Sequence, residues 1–169
     1  MEIKESIVYL GLGANLGNCI ENLEKAIDLL HSGQNTILIS SSIYESEAWG
    51  FQSDNVFYNC CVKLSTTLSL ESLLKSTQEI ELALGRTEKS NNLKYSDRLI
   101  DIDVLFYDSD IIHNEHLVVP HPRIQERNFV LIPLAEIAPN YIHPILKLTV
   151  SQLLINSKDN NHIKGVKKS

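Results

Sequence analysis

The chain has 169 residues, 43% of them apolar and 21% charged, a composition that suits one soluble domain with a sizeable core. A formal charge of −6 argues against a nucleic-acid-binding surface, and no apolar run approaches the roughly 18 residues that a membrane span needs. The three cysteines, Cys19, Cys60 and Cys61, form no C-x-x-C and there is no signal-peptide apolar region, so they read as reduced structural thiols in a cytoplasmic protein.

The first predicted strand is Ile7 to Gly13. Asn18 can cap a helix with Ile20, Leu23, Ile27 and Leu30 at helical spacing, and Glu21 completes an approximate capping box. Gly33 is a plausible stop. The intervening Gly11-Leu12-Gly13-Ala14-Asn15-Leu16-Gly17 invites a dinucleotide reading but fails on spacing, because Leu16 stands at the third glycine position. No Gly-Lys-Ser/Thr follows, which excludes a Walker-type loop. These glycines read as a tight strand-to-helix turn first and as a ligand-approach loop second.

A second strand is predicted over Thr36 to Tyr44, then a loop from Glu45 to Asn55 that carries Trp49 and Phe51. Val56 to Thr66 reads as a third strand, with Phe57, Asn59 and Cys61 on one face. An aromatic ring can stack a flat heterocycle, and a carboxamide can pair donor and acceptor along its edge. Ser69 caps a second helix whose stripe is Leu70, Leu73, Leu74, Thr77, Ile80 and Leu84, ended by Gly85. Gln78 and Glu81 neighbour each other at the edge of that stripe. Arg86 to Asp97 has no periodicity and reads as a long polar loop, of a length usually reserved for function or disorder.

The stretch from Arg98 to Tyr107 is the one around which the chain is organised. Ile100, Ile102, Val104 and Phe106 alternate on one face as a buried strand should, and Asp101 and Asp103 share the other. The two carboxylates stand roughly 7 Å apart at their backbones. At an effective dielectric of about 20 they repel by about 2 kcal/mol. A hard divalent ion such as Mg2+, bound by one or two carboxylates plus substrate phosphates, would offset that repulsion; a solvated acidic edge is the plain alternative. All four arginines, Arg86, Arg98, Arg123 and Arg127, bracket the pair, and their forked donors suit phosphate oxygens.

Beyond this strand, Asp108 to Glu115 is turn-rich, and two prolines hold His121 extended. A short helix is predicted to start near Pro133, and another turn or two of helix over 149–155. Residues 1–155 therefore read as a single domain and 156–169 as a polar, basic, frayed tail. The order strand, helix, strand, strand, helix, strand is a β-α-β-β-α-β layout. The expected class is α+β: a two-layer sandwich with a ferredoxin-like core, an antiparallel sheet and extra C-terminal elements.

Seven motifs in order carry a resemblance. They are L-G-A-N-L-G-N from Leu12, Y-E-S-x-x-W-G from Tyr44, Asn59, Q-x-I-E-x-x-L-G-R from Gln78, R-x-I-D-I-D-V-L-F-Y from Arg98, V-P-H-P-R from Val119 and E-R-x-F-V-L-x-P-L from Glu126. With them the chain resembles the hydroxymethyldihydropterin pyrophosphokinase family, from about Val8 to about Pro144. The resemblance implies transfer of a pyrophosphoryl group from ATP to a pterin alcohol in folate biosynthesis. It implies that Asp101 and Asp103 hold two Mg2+ ions, that Arg86 and Arg98 reach the triphosphate, and that His121 and Arg127 clamp phosphates from the other side. Gln78 and Glu81 would line the nucleotide side. Phe57 and Phe129 would sandwich the pterin ring, Asn59 would read its polar edge, and Ser46 and Trp49 would complete the pocket. The partners expected are these small molecules alone, with no nucleic acid and no membrane, for a monomer. Two positions depart from the family pattern: Tyr95-Ser96-Asp97-Arg98 replaces an aromatic-Gly-Pro-Arg run, and Glu88 stands where many members carry a second loop arginine.

Two rival classes share the layout. A two-metal nucleotidyl-transfer or nuclease enzyme would need a third carboxylate on a neighbouring strand. A ferredoxin-like small-molecule-binding regulatory domain would leave the Asp pair and the arginines without a purpose.

Overall fold

The computed structural model describes residues 2–85 and 98–168. The chain lays down β1 (Ser6–Ala14), α1 (Cys19–Leu30), β2 (Asn35–Ser40), β3 (Ile43–Ser46), β4 (Phe57–Thr66), α2 (Leu70–Ala83) and β5 (Asp101–Tyr107). Both helix starts follow their caps. Asn18 accepts from the Glu21 amide at 3.2 Å and donates to its carboxylate at 3.0 Å, and Ser69 accepts from the Ser72 amide at 3.2 Å. Gly85, at φ +99°, ends α2 in backbone space that a side chain would strain.

The sheet runs β5-β1-β4-β3, with β2 beside β3 along the same edge of β4, and every pairing is antiparallel. β1 and β2 thus point the same way with β4 between them, which is the split β-α-β arrangement of a ferredoxin-like core. The helices α1 and α2 cover one face. Leu10, Leu23, Leu30, Leu73 and Ile100 are fully buried there, each contributing about 1.5–3 kcal/mol of apolar burial.

The rest of the chain builds a second cover. A short hairpin of β6 (Ile112–His113) and β7 (Val118–Val119) leads through one turn of 3-10 helix at Ile124–Glu126 into α3 (Asn128–Ile137) and α4 (Val150–Asn156). These two helices pack on the opposite face of the sheet over Tyr9, Cys61, Leu105 and Phe106. The last strand, β8 (Ile163–Lys167), pairs antiparallel with the outer edge of β3.

Five expectations are corrected. The strand expected over Thr36 to Tyr44 is two strands, broken where the Ser41 hydroxyl takes the Cys61 amide at 2.9 Å. Gly11 and Gly13 lie inside β1 rather than in the turn; only Gly17, at φ +67°, serves the turn. Phe106 leaves the face of Ile100, Ile102 and Val104, because the register slips at Leu105: Leu10 faces Val104 while Tyr9 faces Phe106. Such a bulge puts two successive side chains on one face. α3 starts at Asn128, five positions before the predicted start, and Pro133 sits inside it, where its missing N–H leaves the Phe129 carbonyl without the usual helical donor. The tail does not fray throughout, since its residues 163–167 are β8.

The three cysteines are free and buried. Burial pushes the Cys60 thiol up to about 12 and Cys61 well above its ordinary value, so neither is a nucleophile. No helix among the described residues is long and apolar enough to cross a membrane.

Candidate active site

A cleft of about 400 Å³ opens at the end of the sheet where α3 begins. Its floor follows from strand register. Asp101 faces Gly13 across the β5–β1 ladder, and Gly13 faces Asn59 across the β1–β4 ladder. Two residues further along, Asp103 faces Gly11, and Gly11 faces Cys61. Partners across a ladder share a face. The Asp pair and the Asn59 carboxamide therefore look into the same trough from strands about 10 Å apart, with two glycines between them. Neighbouring side chains use the space that the glycines leave: a Cβ built on Gly11 would stand 3.4 Å from the Leu105 side chain, and one on Gly13 would stand 2.9 Å from Asn59 Oδ1.

The walls come from elsewhere in the chain. Ser46 at the end of β3 faces Phe57 on β4, and its hydroxyl accepts from Asn59 Nδ2 at 2.9 Å. That bond fixes which atom of the buried carboxamide points where. The loop after β3 brings Trp49 onto the far side. Its ring lies 4.5 Å from the Arg123 guanidinium, 4.7 Å from that of Arg127, and edge-on to Phe129 at 6.4 Å. Arg123 is also paired through Nε with Glu126 at 3.0 Å. Phe57 comes from the sheet and Phe129 from the helix layer above it; Phe51 supports Phe57 edge-on at 5.9 Å.

Charge is concentrated at the β5 end. Arg98 Nη1 lies 2.9 Å from Asp101. Its backbone is pinned by Asn15, whose side chain takes the Arg98 amide at 2.6 Å while the Asn15 and Leu16 amides both donate to the Arg98 carbonyl. Burial, together with the Asp101 and Glu81 carboxylates, pushes Asp103 up to about 8, against the pull of Arg127 and Arg98. A cation beside the pair would oppose that rise and favour the ionised carboxylate. Glu81, only 4% exposed, accepts from the Ile102 amide at 2.9 Å and so closes the free edge of β5. Burial and the Arg127 and Arg123 charges push His121 down to about 4, so the ring is neutral. Its Nδ1 accepts from the Arg123 amide at 3.3 Å, which leaves Nε2 as the donor.

Ser46, Trp49, Phe57, Asn59, Gln78, Glu81, Arg98, Asp101, Asp103, His121, Arg127 and Phe129 all line this one cleft. Arg86, and with it the departures at Glu88 and Tyr95 to Asp97, lies outside the described residues. Gly11 and Gly13, read first as a turn and only second as a ligand-approach loop, line the cleft, as does Phe51 of the loop that carries Trp49; the stacking of Arg123 on Trp49 was missed. The glycine spacing was a signal that could have found the first two, since alternate glycines in a strand leave one face bare.

Two carboxylates, arginines and an aromatic-plus-amide group thus line one cleft. The model of the family described as 7,8-dihydro-6-hydroxymethylpterin-pyrophosphokinase (HPPK) matches residues 9–139. The chain belongs to the HPPK family. It is 42% identical over 140 residues to the 2-amino-4-hydroxy-6-hydroxymethyldihydropteridine pyrophosphokinase of Porphyromonas gingivalis, covering 82% of this chain and 95% of that one. The enzyme of the same name from Aquifex aeolicus is also 42% identical, covering 83% of this chain and 85% of its own. A folic acid synthesis protein of Dictyostelium discoideum is 39% identical over 95% of this chain, but this chain spans only 24% of its length. The crystal structure of wild-type Plasmodium falciparum HPPK-DHPS superposes with a TM-score of 0.72 at 19% identity over 91% of this chain and 44% of that one, a likeness of fold. The HPPK match ends before α4 and β8.

Proposed function

We infer that this chain transfers the pyrophosphoryl group of ATP to the hydroxymethyl group of 6-hydroxymethyl-7,8-dihydropterin, yielding the pterin diphosphate and AMP. The observation that supports the reading is the single row Asp101, Gly13, Asn59, which brings a carboxylate suited to a cation and a carboxamide suited to a heterocycle edge into one trough. Asp101 and Asp103 are the groups that would hold Mg2+. Two carboxylates fall short of a protein cage, and among the described residues no cluster of three or more candidate ligands exists. That fits an ion completed by phosphate oxygens and water. When bound, two Mg2+ ions would neutralise charge on the ATP phosphates.

The remaining work falls to the chain's own side chains. Phe57 and Phe129 sandwich the pterin, and Asn59, oriented by Ser46, reads its polar edge, with Trp49 as the outer wall. The hydroxymethyl oxygen attacks the β-phosphorus and gives its proton to solvent water, and the bond from that phosphorus to the α–β bridging oxygen breaks, so AMP leaves with that oxygen. No covalent enzyme intermediate forms. Arg98, His121 through Nε2, and Arg127 hold the phosphates and the charge that develops on them, joined by Arg86; Gln78 and Glu81 border the nucleotide. Fixing the alcohol against the phosphate supplies the proximity contribution. The chain acts as a cytoplasmic monomer on small molecules, with no nucleic-acid or membrane partner. The test is AMP formation from ATP. The reading requires that it depend on both the hydroxymethyl pterin and Mg2+, and AMP release without the pterin overturns it.

A further inference from the structure

The C-terminal segment lies beyond the family match and has no role in the reaction just described, yet it touches both walls of the heterocycle end. α3 begins with no side-chain cap of its own, since its N-cap residue is Arg127 and makes no capping bond. The missing acceptor comes from 31 residues away. Asp159 Oδ2 accepts from the Asn128 amide, the first of the helix, at 2.8 Å, and the Asp159 carbonyl accepts from Asn128 Nδ2 at 2.9 Å. A carboxylate at a helix N-terminus is favoured both as a hydrogen-bond acceptor and by the helix dipole.

Asp159 is itself held. Its amide donates to the Ser157 hydroxyl at 3.2 Å, and its Oδ1 accepts from the Asn161 amide at 3.0 Å. The chain then runs into β8, where Ile163 stands opposite Ser46 and Lys167 opposite Ile43. Lys167 also pairs with Glu24 on α1. One short segment therefore clips the start of α3, which carries Phe129 and Arg127, to the strand that carries Ser46.

We propose that Asp159 is a positioning residue for the heterocycle socket: by capping α3 from the tail it sets Phe129 against the sheet that carries Phe57 and Asn59. This rests on the pyrophosphokinase reading of the cleft. Loss of the cap leaves the α3 start free to shift, so the ring-binding gap loses its fixed width. The Asp101 and Asp103 carboxylates stand on β5, apart from this contact; Arg127, the residue before Asn128, moves with the α3 start.

The experiment measures AMP formation at saturating ATP and Mg2+ with varied pterin. Asp159→Ala should raise the pterin KM about fivefold, a larger factor than any fall in kcat through Arg127. Asp159→Asn keeps one oxygen acceptor for the Asn128 amide and should recover at least half of that loss. In a Phe129→Ala background, Asp159→Ala should change kcat/KM for pterin by less than twofold, because the side chain it positions is gone. Asn128→Ala removes the side-chain donor to the Asp159 carbonyl but keeps the backbone amide on Oδ2; it loosens the same clip from the α3 side and should raise the pterin KM by a smaller factor, about twofold, should the first variant fail to fold. An unchanged pterin KM in whichever of these variants folds, or an undiminished effect without the Phe129 ring, overturns the inference while the parent enzyme remains active. A parent protein that makes no AMP overturns the reading of the cleft itself.

Discussion

Replacing Gly13 by alanine tests the trough at its narrowest point. The added Cβ would lie 2.9 Å from Asn59 Oδ1, closer than a methyl carbon and an oxygen tolerate. The backbone of β1 has little room to give, because Gly13 is laddered to Asn59 on one side and Asp101 on the other. The carboxamide must therefore move, and it is 4% exposed and tied to Ser46 at 2.9 Å. Displacing a buried hydrogen-bonded amide costs about 1–3 kcal/mol. If that amide reads the pterin edge, the cost appears as a loss of about 5- to 150-fold in pterin affinity. Global stability should change less, since alanine restricts the unfolded chain and returns about 0.4–1 kcal/mol. Calorimetric titration of pterin, in the presence of Mg2+ and a non-reactive ATP analogue, measures the first quantity; thermal melting measures the second. Pterin affinity within twofold of the parent, with ATP-analogue affinity also unchanged, would refute both the crowding argument and the role given to Asn59.

Asp103→Asn removes a carboxyl that its surroundings already push up to about 8, so the ligand-free variant should melt no lower than the parent while kcat falls more than tenfold; retention of over about a tenth of kcat, about 1.4 kcal/mol of barrier, rules out the metal role. Arg98→Ala should lower kcat more than it weakens ATP binding if its charge acts on the transition state, and a change confined to the ATP KM makes it a ground-state binder. His121 is neutral in the fold down to about pH 4 but titrates near 6.5 when unfolded, so its contribution to stability is complete above pH 6.5 and is lost as pH falls toward 4. His121→Gln should flatten that part of the melting-temperature curve for the ligand-free protein, and coincident slopes in the two proteins would contradict the burial argument.

Much of the site was legible because its residues sit on regular elements whose period gives their face. Asp101 with Asp103, and Phe57 with Asn59, needed only the two-residue repeat of a strand. That these two pairs occupy one row needed the register of β1 between them, which no local pattern encodes. The misread positions each obey a non-local partner. Phe106 follows a bulge set by the pairing of Tyr9 and Leu10, and the bulge turns it onto Tyr141 at 4.4 Å and His143 at 5.5 Å. α3 begins ahead of its proline because a carboxylate from Asp159 satisfies the first amide, a donor-acceptor match between residues 31 apart in sequence. Ile163 to Lys167 has little intrinsic strand pattern and becomes β8 through the open edge of β3. The Glu45 to Asn55 loop gave no periodicity at all, and the position of Trp49 comes from two arginines far along the chain.

The pairing of β8 with β3 also bears on how the folded molecule behaves in a crowded solution. Without it, β3 would present a bare row of amides and carbonyls beside the mouth of the cleft, a template for any extended chain. With it, the outermost strand on that side among the described residues carries exposed Lys164 and Lys167 around Gly165. Like charges on a short strand oppose stacking of one molecule's edge against another's. A protein shortened before Ile163 should therefore lose colloidal stability sooner than thermal stability, with turbidity rising at temperatures where its circular dichroism is still native.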